Sequence, residues 1–232
     1  MKQLHLSDSG ALAAACEVLR GPRPVFMLEL PSVFALVAPP SLVGARALDE
    51  TKRRLPGKTY GSLIGDMAAF RALTPDSELP EGLRGPGALK VFSGAFMRVV
   101  IGPPEARTAA VARGTHQGLL LDGPHRALFI ALEEYLRAQA EPALFCGGTY
   151  SSPLGTSANW SGDPLGSITT WERALEFARD RELPLVLRCD PESGAAGSFP
   201  IFRLGSGGVT LEREGPDQAL IRARIDAALT GP

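Results

Sequence analysis

The sequence predicts an α/β fold in which helices pack on a mixed, twisted, open sheet. Segments rich in Val, Phe and Leu alternate with helical segments along the chain, a pattern typical of a sheet covered by helices. Several strand segments stand in pairs joined by short Gly-rich turns, which favours antiparallel neighbours over a purely parallel sheet. The 232 residues, 44% hydrophobic and 21% charged, have the balance of a folded protein with one core. We therefore expect a single domain over residues 1–232, with a core at about 21–214 and a C-terminal helix at 218–229.

The helices are predicted from apolar periodicity and from their start and stop signals. Ser41 and Asp66 stand where a side-chain oxygen can accept a hydrogen bond from the first helical turn. Pro56 and Gly57 end the helix that Ser41 begins. The segment 125–138 places four apolar residues on one face. The predicted helices are 11–20, 41–54, 66–73, 125–138, 171–179 and 219–229.

The strands are predicted from short runs of β-branched, aromatic and aliphatic residues bounded by Gly and Pro. The runs are 24–30, 32–37, 62–64, 89–92, 96–101, 118–121, 144–146, 185–188, 201–204 and 209–212. The stretch 147–166 is rich in Gly, Ser, Pro and Asn and is interpreted as a long loop.

Composition excludes several classes of function. The formal net charge is −1, so nucleic-acid binding would need a local basic patch. No apolar run approaches the roughly 20 residues that cross a bilayer, and the polar N-terminus does not resemble a secretory signal. The three cysteines show no CxxC spacing, which favours a reduced, cytoplasmic compartment: Cys16, Cys146 and Cys189. The three histidines have no ligand spacing and are interpreted as surface or cap residues, with no metal site expected: His5, His116 and His125.

A basic segment ends the helix that begins at Ser41. Within seven residues it carries Lys52, Arg53, Arg54 and Lys58, next to a Pro-Gly turn. Cations at a turn can converge on one concave spot, as phosphate recognition requires. The alternative is a solvated basic helix end that complements the helix dipole.

A second segment, residues 151–163, is dense in small hydroxyl residues around Asn159. Small residues let a backbone approach a ligand closely, and their hydroxyl and amide groups can bind phosphate or ribose oxygens. The alternative is a structural turn in which Ser and Asn bond to their own backbone.

Together the two segments resemble the YrdC-like family. That family usually has Lys-Gly-Arg-Pro followed by Lys-Pro-Leu, and Lys52, Arg54 and Lys58 stand at the three basic places. The stretch 156–162, Thr-Ser-Ala-Asn-Trp-Ser-Gly, matches the family's second motif at seven positions. Ser198 holds the serine place of the family's late Pro-Ser-Thr strand.

The resemblance implies a twisted open α/β sheet with a basic concave surface, and an adenylate-forming nucleotidyltransferase activity. The best-known reaction makes L-threonylcarbamoyl-AMP from L-threonine, bicarbonate and ATP, releases pyrophosphate and serves tRNA modification. The family is also associated with double-stranded RNA binding, and related domains occur in carbamoyltransferases. The resemblance therefore implies ATP with Mg²⁺, a small amine or amino acid, and tRNA or double-stranded RNA as partners, and no membrane.

The residue roles that the resemblance implies follow from the charges. Lys52 and Arg54 would grip phosphate as the catalytic residues, and Lys58 would add charge toward the leaving pyrophosphate. The other nucleotide-binding positions would be Thr156, Ser157, Asn159 and Ser198. Carbamate attack on the α-phosphorus needs phosphate neutralisation and alignment rather than a side-chain nucleophile.

The chain departs from the family pattern where the family lines its amino-acid pocket. The early strand reads Glu-Leu-Pro-Ser-Val-Phe-Ala-Leu at 29–36, and Ser32 alone is a hydroxyl remnant. Leu120 replaces an arginine, Gly155 a serine and Phe199 a threonine. We therefore expect a retained nucleotide site beside a more apolar acceptor pocket formed by Ser32, Phe34 and Leu120. Three hypotheses remain: a synthase with a changed acceptor, a non-catalytic binder of nucleotide or double-stranded RNA, and a protein that handles a carbamoyl adenylate in a specialised pathway.

Overall fold

The structure is a computed structural model, and it describes residues 1–53, 58–85, 87–160, 162–189 and 196–230. The strands in this part of the chain are β1 (Lys2–His5), β2 (Phe26–Glu29), β3 (Phe34–Ala38), β4 (Gly61–Leu63), β5 (Ala95–Val100), β6 (Thr115–Leu120), β7 (Leu154–Ser157), β8 (Leu185–Arg188), β9 (Ile201–Gly205) and β10 (Gly208–Arg213). The helices are α1 (Ala11–Arg20), α2 (Leu42–Lys52), α3 (Met67–Arg71), α4 (Gly123–Leu136), α5 (Trp171–Asp180) and α6 (Gln218–Thr230).

The strands form one sheet in the order β1-β8-β2-β3-β7-β4-β6-β5-β9-β10. The pairs β1/β8, β8/β2, β4/β6 and β5/β9 are parallel, and the remaining neighbours are antiparallel. The mixed α/β sheet expected from the sequence is confirmed. Its centre is β7, which lies between β3 and β4 and carries the first half of the hydroxyl-rich motif.

Helices cover the sheet on both faces. Side chains of α2, α3, α5 and α6 pack on one face in a cluster that includes Leu48, Phe70, Phe177 and Ile225. On the other face α1 and α4 pack against β2, β3 and β8. On β5, half-buried residues alternate with buried ones, and Phe96, Arg98 and Val100 point to the α1/α4 face. Because these side chains are only half-buried, α1 and α4 do not fully cover this part of their face, and a pocket can form there.

Local capping signals are formed as predicted. Ser41 accepts a hydrogen bond from the Gly44 amide at 3.1 Å, and Asp66 accepts one from the Ala68 amide at 2.8 Å. A side-chain oxygen at these positions satisfies an amide that the helix leaves without an intrahelical partner. Both caps fix where helices start, and α2 in turn delivers Lys52 to the sheet centre.

Two predicted strands are instead 3₁₀ helices, Ala88–Phe92 and Pro142–Phe145. Leu89 and Phe92 are both buried, and their spacing of three residues puts them on the same side of a 3₁₀ turn. Conversely, β7 lies in the stretch interpreted as a loop, and β1 was not predicted. The small residues of β7 have little intrinsic strand preference, but pairing with β3 and β4 supplies their backbone hydrogen bonds.

Within the described ranges, no helix combines the length and apolar character needed to cross a bilayer.

Candidate functional site

A cavity of about 320 Å³ opens on the α1/α4 face of the sheet. Its floor includes Gly61 of β4 and Gly155 of β7, which pair directly across the two strands. A Cβ at Gly61 would lie 2.8 Å from the Phe96 ring, and one at Gly155 would lie 2.8 Å from Leu63. The two glycines therefore leave bare backbone at the centre of the floor, where a ligand can approach closely.

Lys52 joins the two sequence motifs at one wall of this cavity. It is the last residue of α2 and is buried, with 6% of its surface exposed. Its Nζ donates to Ser157 O at 2.7 Å, Asn159 Oδ1 at 2.8 Å and Thr156 Oγ1 at 3.2 Å. An ammonium has three N–H donors, so these bonds hold the motif against α2. Lys52 thus braces the loop, and direct phosphate contact would require one of the three bonds to be exchanged.

The other predicted nucleotide-site residues divide into those that the structure describes and those that it does not. Lys58 lines the cavity together with Thr156, Ser157, Asn159 and Ser198. Arg54 lies outside the described residues, and so does Ser161. Arg53 ends α2 in the left-handed conformation, with φ 47°.

Trp160 anchors the hydroxyl-rich motif on α5. Its ring meets Phe177 edge-on at 5.1 Å, and its Nε1 donates to Asp180 at 2.9 Å. The backbone oxygen of Trp160 accepts from Asn159 Nδ2 at 3.0 Å. These contacts make Trp160 a packing anchor for the motif. The bond to Asn159 orients the amide whose oxygen accepts from Lys52.

The segment 196–199 forms another wall of the cavity. The Gly197 amide donates to Ser32 O at 2.8 Å, and Ser198 Oγ lies 2.8 Å from Ser167 Oγ. Phe199 O accepts from two nitrogens of Arg213, at 2.6 and 3.1 Å. These bonds tie the segment to the loop before β3 on one side and to β10 on the other.

Arg213 was missed by the sequence interpretation. It lines the cavity from the end of β10, and its guanidinium lies 5.9 Å from the centre of the Phe96 ring. Burial, and secondarily the charge of Arg98, lower the pKa of Arg213. Nothing in the sequence indicates that Arg213 belongs to the site, because it is the β9–β10 hairpin that brings this residue to the cavity.

The interpretation of Phe34 and Leu120 as pocket residues is wrong. Both side chains are buried in the cluster on the opposite face of the sheet. Because side chains alternate between faces along a strand, the neighbouring residues line the cavity instead: Val33, Ala35 and Leu119. Ser32 is buried and outside the lining, and the structure describes no hydrogen-bond partner for its Oγ.

His116 lies beneath the cavity floor and not at the surface as the sequence indicated. Its Nδ1 is 2.8 Å from Ala110 O and therefore donates, so its Nε2 accepts from Ser62 Oγ at 2.9 Å. Burial lowers the pKa of His116 to about 4, which keeps the ring neutral. His125 is also buried, with Nε2 2.8 Å from Glu29 O. Within the described ranges, no cluster of three or more His, Cys, Asp or Glu side chains could hold a metal ion.

No protein-family model matches the sequence, and no curated protein matches it. Solved structures do match. A double variant of P. abyssi Sua5 superposes with a TM-score of 0.67 at 15% identity, over 92% of this chain and 60% of that one. P. abyssi Sua5 complexed with L-threonine gives 0.64 at 12% identity, over 97% and 62%.

E. coli YciO gives a TM-score of 0.60 at 14% identity, over 92% of this chain and 94% of YciO. Full-length HypF in its phosphate- and nucleotide-bound form gives 0.57 at 14% identity, over 86% and 28%. The chain therefore spans about three fifths of the Sua5 chains, 60% and 62% in the two structures. These likenesses confirm the YrdC-like fold that the sequence motifs implied.

Proposed function

We propose that this chain, which has a YrdC-like fold, binds ATP in the cavity and joins its AMP part to a carbamate, releasing pyrophosphate. The observation that carries the proposal is the contact of Lys52 with Thr156, Ser157 and Asn159. It brings the basic motif and the hydroxyl-rich motif to the same cavity, as a shared phosphate site requires. Sua5 and HypF, whose structures hold L-threonine and nucleotide respectively, support the choice of ligands.

The proposed chemistry has two balanced steps. An amine combines with bicarbonate to give a carbamate and water. A carbamate oxygen then attacks the α-phosphorus of ATP, and the bond to the bridging oxygen breaks as pyrophosphate leaves with the electron pair. Because an anion attacks a polyanion, the protein must neutralise charge and align the reactants.

The charges in the described cavity support this proposal. Lys58 and Arg213 line it, and the charge of Lys52 lies at its wall. Ser157, Ser198 and Asn159 add hydroxyl and amide groups that can bond phosphate or ribose oxygens. Arg54 is included among the proposed catalytic residues because of its place in the sequence motif alone. No side-chain nucleophile enters either step.

Mg²⁺ was expected to accompany the triphosphate. Among the described lining residues there is no Asp or Glu, and carboxylates are the protein ligands that Mg²⁺ ordinarily uses. The cavity residues therefore do not form a Mg²⁺ site of their own, and in this proposal the ion would arrive bound to the triphosphate.

The proposed acceptor is a small amine or amino acid, with L-threonine a poor one. The lining includes the buried apolar side chains of Leu30, Val33, Leu119 and Phe199. An apolar wall gives the threonine hydroxyl no partner, and its desolvation then opposes binding.

A second candidate is a non-catalytic protein that binds nucleotide or double-stranded RNA. It is favoured by a groove of about 760 Å³ beside the cavity, lined by Arg98, Arg113 and Arg203. Glu212 pairs with Arg98 at 2.6 Å and with Arg203 at 3.7 Å, which reduces the positive charge of this groove. Handling of a ready-made carbamoyl adenylate is the third hypothesis, and it uses the same cavity.

The deciding experiment measures pyrophosphate release from ATP with and without bicarbonate, over a panel of amines and amino acids. We expect bicarbonate-dependent release with at least one acceptor, and slow release with threonine. A Lys58→Ala, Arg213→Ala double variant should lose release, whereas Lys90→Ala, at an exposed site away from the cavity, should not. No pyrophosphate release with any acceptor, together with nucleotide or RNA binding, would favour the second candidate over the proposed enzyme.

A further inference from the structure

Gln117 of β6 lines the cavity next to Arg98 of β5. The two residues are direct neighbours across the antiparallel pair, and Arg98 Nη2 lies 2.7 Å from Gln117 Oε1. Gly61, part of the bare floor, lies on the other side of Gln117, and a Cβ there would be 3.1 Å from Gln117 Cγ. Gln117 thus stands between an arginine and the open floor.

The contact with Arg98 fixes which end of the Gln117 amide faces the cavity. A guanidinium only donates hydrogen bonds, so the amide oxygen must face Arg98 and the nitrogen must point away from it. Gln117 is half-buried, and the structure describes no protein acceptor for its Nε2. The N–H groups are therefore directed into the cavity.

Arg98 is itself held in place by other residues. Its Nε donates to Glu212 at 2.6 Å, and its Nη1 lies 3.4 Å from Thr115 Oγ1. Only 19% of its side chain and 30% of that of Glu212 are exposed. The orientation of the Gln117 amide is thus set before any ligand arrives, and preorganised donors bind without a reorganisation cost.

The surroundings indicate which ligand group meets these donors. Lys58 and Arg213 line the same cavity, and the described lining contains no carboxylate. A neutral N–H donor in a cationic cavity fits an oxyanion. We propose that Gln117 is a specificity-determining residue, that its Nε2 donates to an oxyanion of the bound ligand, and that Arg98 is its positioning residue. The inference rests on the proposed function, in which the oxyanion is a phosphate oxygen of the nucleotide or the carboxylate oxygen of an amino-acid acceptor.

The test is calorimetric titration of the full chain with pyrophosphate, ATP and L-threonine as separate probes. Gln117→Met removes the donors at similar size, and we expect it to weaken binding of one oxyanion probe about tenfold, as loss of a hydrogen bond to a charged group does. Gln117→Glu places a negative charge there and should weaken the same probe about a hundredfold. Gln3→Glu, at an exposed position on β1, adds the same charge far from the cavity and should change nothing.

Two variants of Arg98 separate positioning from a structural role. Lysine also only donates, so Arg98→Lys should keep the Gln117 amide oriented and retain most of the affinity. Arg98→Met frees the amide to rotate and should weaken the same probe that Gln117→Met weakens. Thermal melts show whether each variant is folded.

Each outcome decides the inference. Weakening confined to pyrophosphate and ATP assigns the oxyanion to the nucleotide, and weakening confined to threonine assigns it to the acceptor. If both Gln117 variants are folded and bind the probes as tightly as the wild type does, the role of Gln117 is overturned and the proposed function still stands. A wild type that binds none of the three probes would overturn both.

Discussion

Replacing Lys52 by Met tests the contact on which the candidate site depends. Methionine keeps most of the length and apolar surface of the lysine stem but removes the ammonium. Ser157 O, Asn159 Oδ1 and Thr156 Oγ1 then lose the donor that they share at 2.7, 2.8 and 3.2 Å. The motif that carries them is expected to detach from the end of α2.

The magnitude follows from burial. Removing one partner of a buried charged contact costs about 3–5 kcal/mol. The three described acceptors of Lys52 are neutral oxygens, so we expect a loss of about 3 kcal/mol in the free energy of unfolding. For a chain of this length, a loss of about 3 kcal/mol lowers Tm by about 6–12 °C. ATP affinity should fall at least about tenfold, because Ser157 and Asn159 are no longer held in place.

The measurements are urea unfolding, thermal melting and ATP titration of the Lys52→Met variant. Lys90→Met is the matched control, because Lys90 is exposed and lies outside the cavity. The reasoning would be refuted if Lys52→Met were as stable as Lys90→Met and bound ATP with wild-type affinity.

Three further outcomes are expected. Burial lowers the pKa of His116 to about 4 from its ordinary 6.5. The stabilisation that the neutral ring provides should therefore be complete above pH 6.5 and lost toward pH 4, by about 3 kcal/mol in the free energy of unfolding measured with urea. Equal stability at both ends of that window would contradict this. Burial raises the pKa of Glu133, so the stabilisation that its protonated carboxyl group provides is lost as pH rises through the raised pKa. The stability difference between wild type and Glu133→Gln should therefore change with pH, and a constant difference would count against it. Trp160→Leu removes the bond to Asp180 and should weaken ATP binding several-fold with α5 still folded by circular dichroism; unchanged affinity would show that Asn159 needs no such anchor.

The sequence by itself determined the helix caps, the class of sheet and the two motifs of the candidate site. Ser41 and Asp66 cap their helices as predicted, because a cap needs only a side-chain oxygen two or three residues from its amide. The mixed sheet was also predictable, since apolar runs and Gly-rich turns are written along the chain. The two motifs were read as one site from a family resemblance, and Lys52 does contact Asn159 at 2.8 Å.

Pairing between distant segments is what only the tertiary structure decided. Phe34 and Leu120 were assigned to the cavity, yet the register of β3 and β6 turns them to the opposite core and presents Ala35 and Leu119 instead. A shift of one residue exchanges the two faces of a strand, and the motif match did not fix that register. The strand β7 forms in a hydroxyl-rich segment because β3 and β4 flank it. Gln117 and Arg213 are likewise placed by strand pairing, Gln117 beside Arg98 on β5 and Arg213 beside Ile201 at the start of β9.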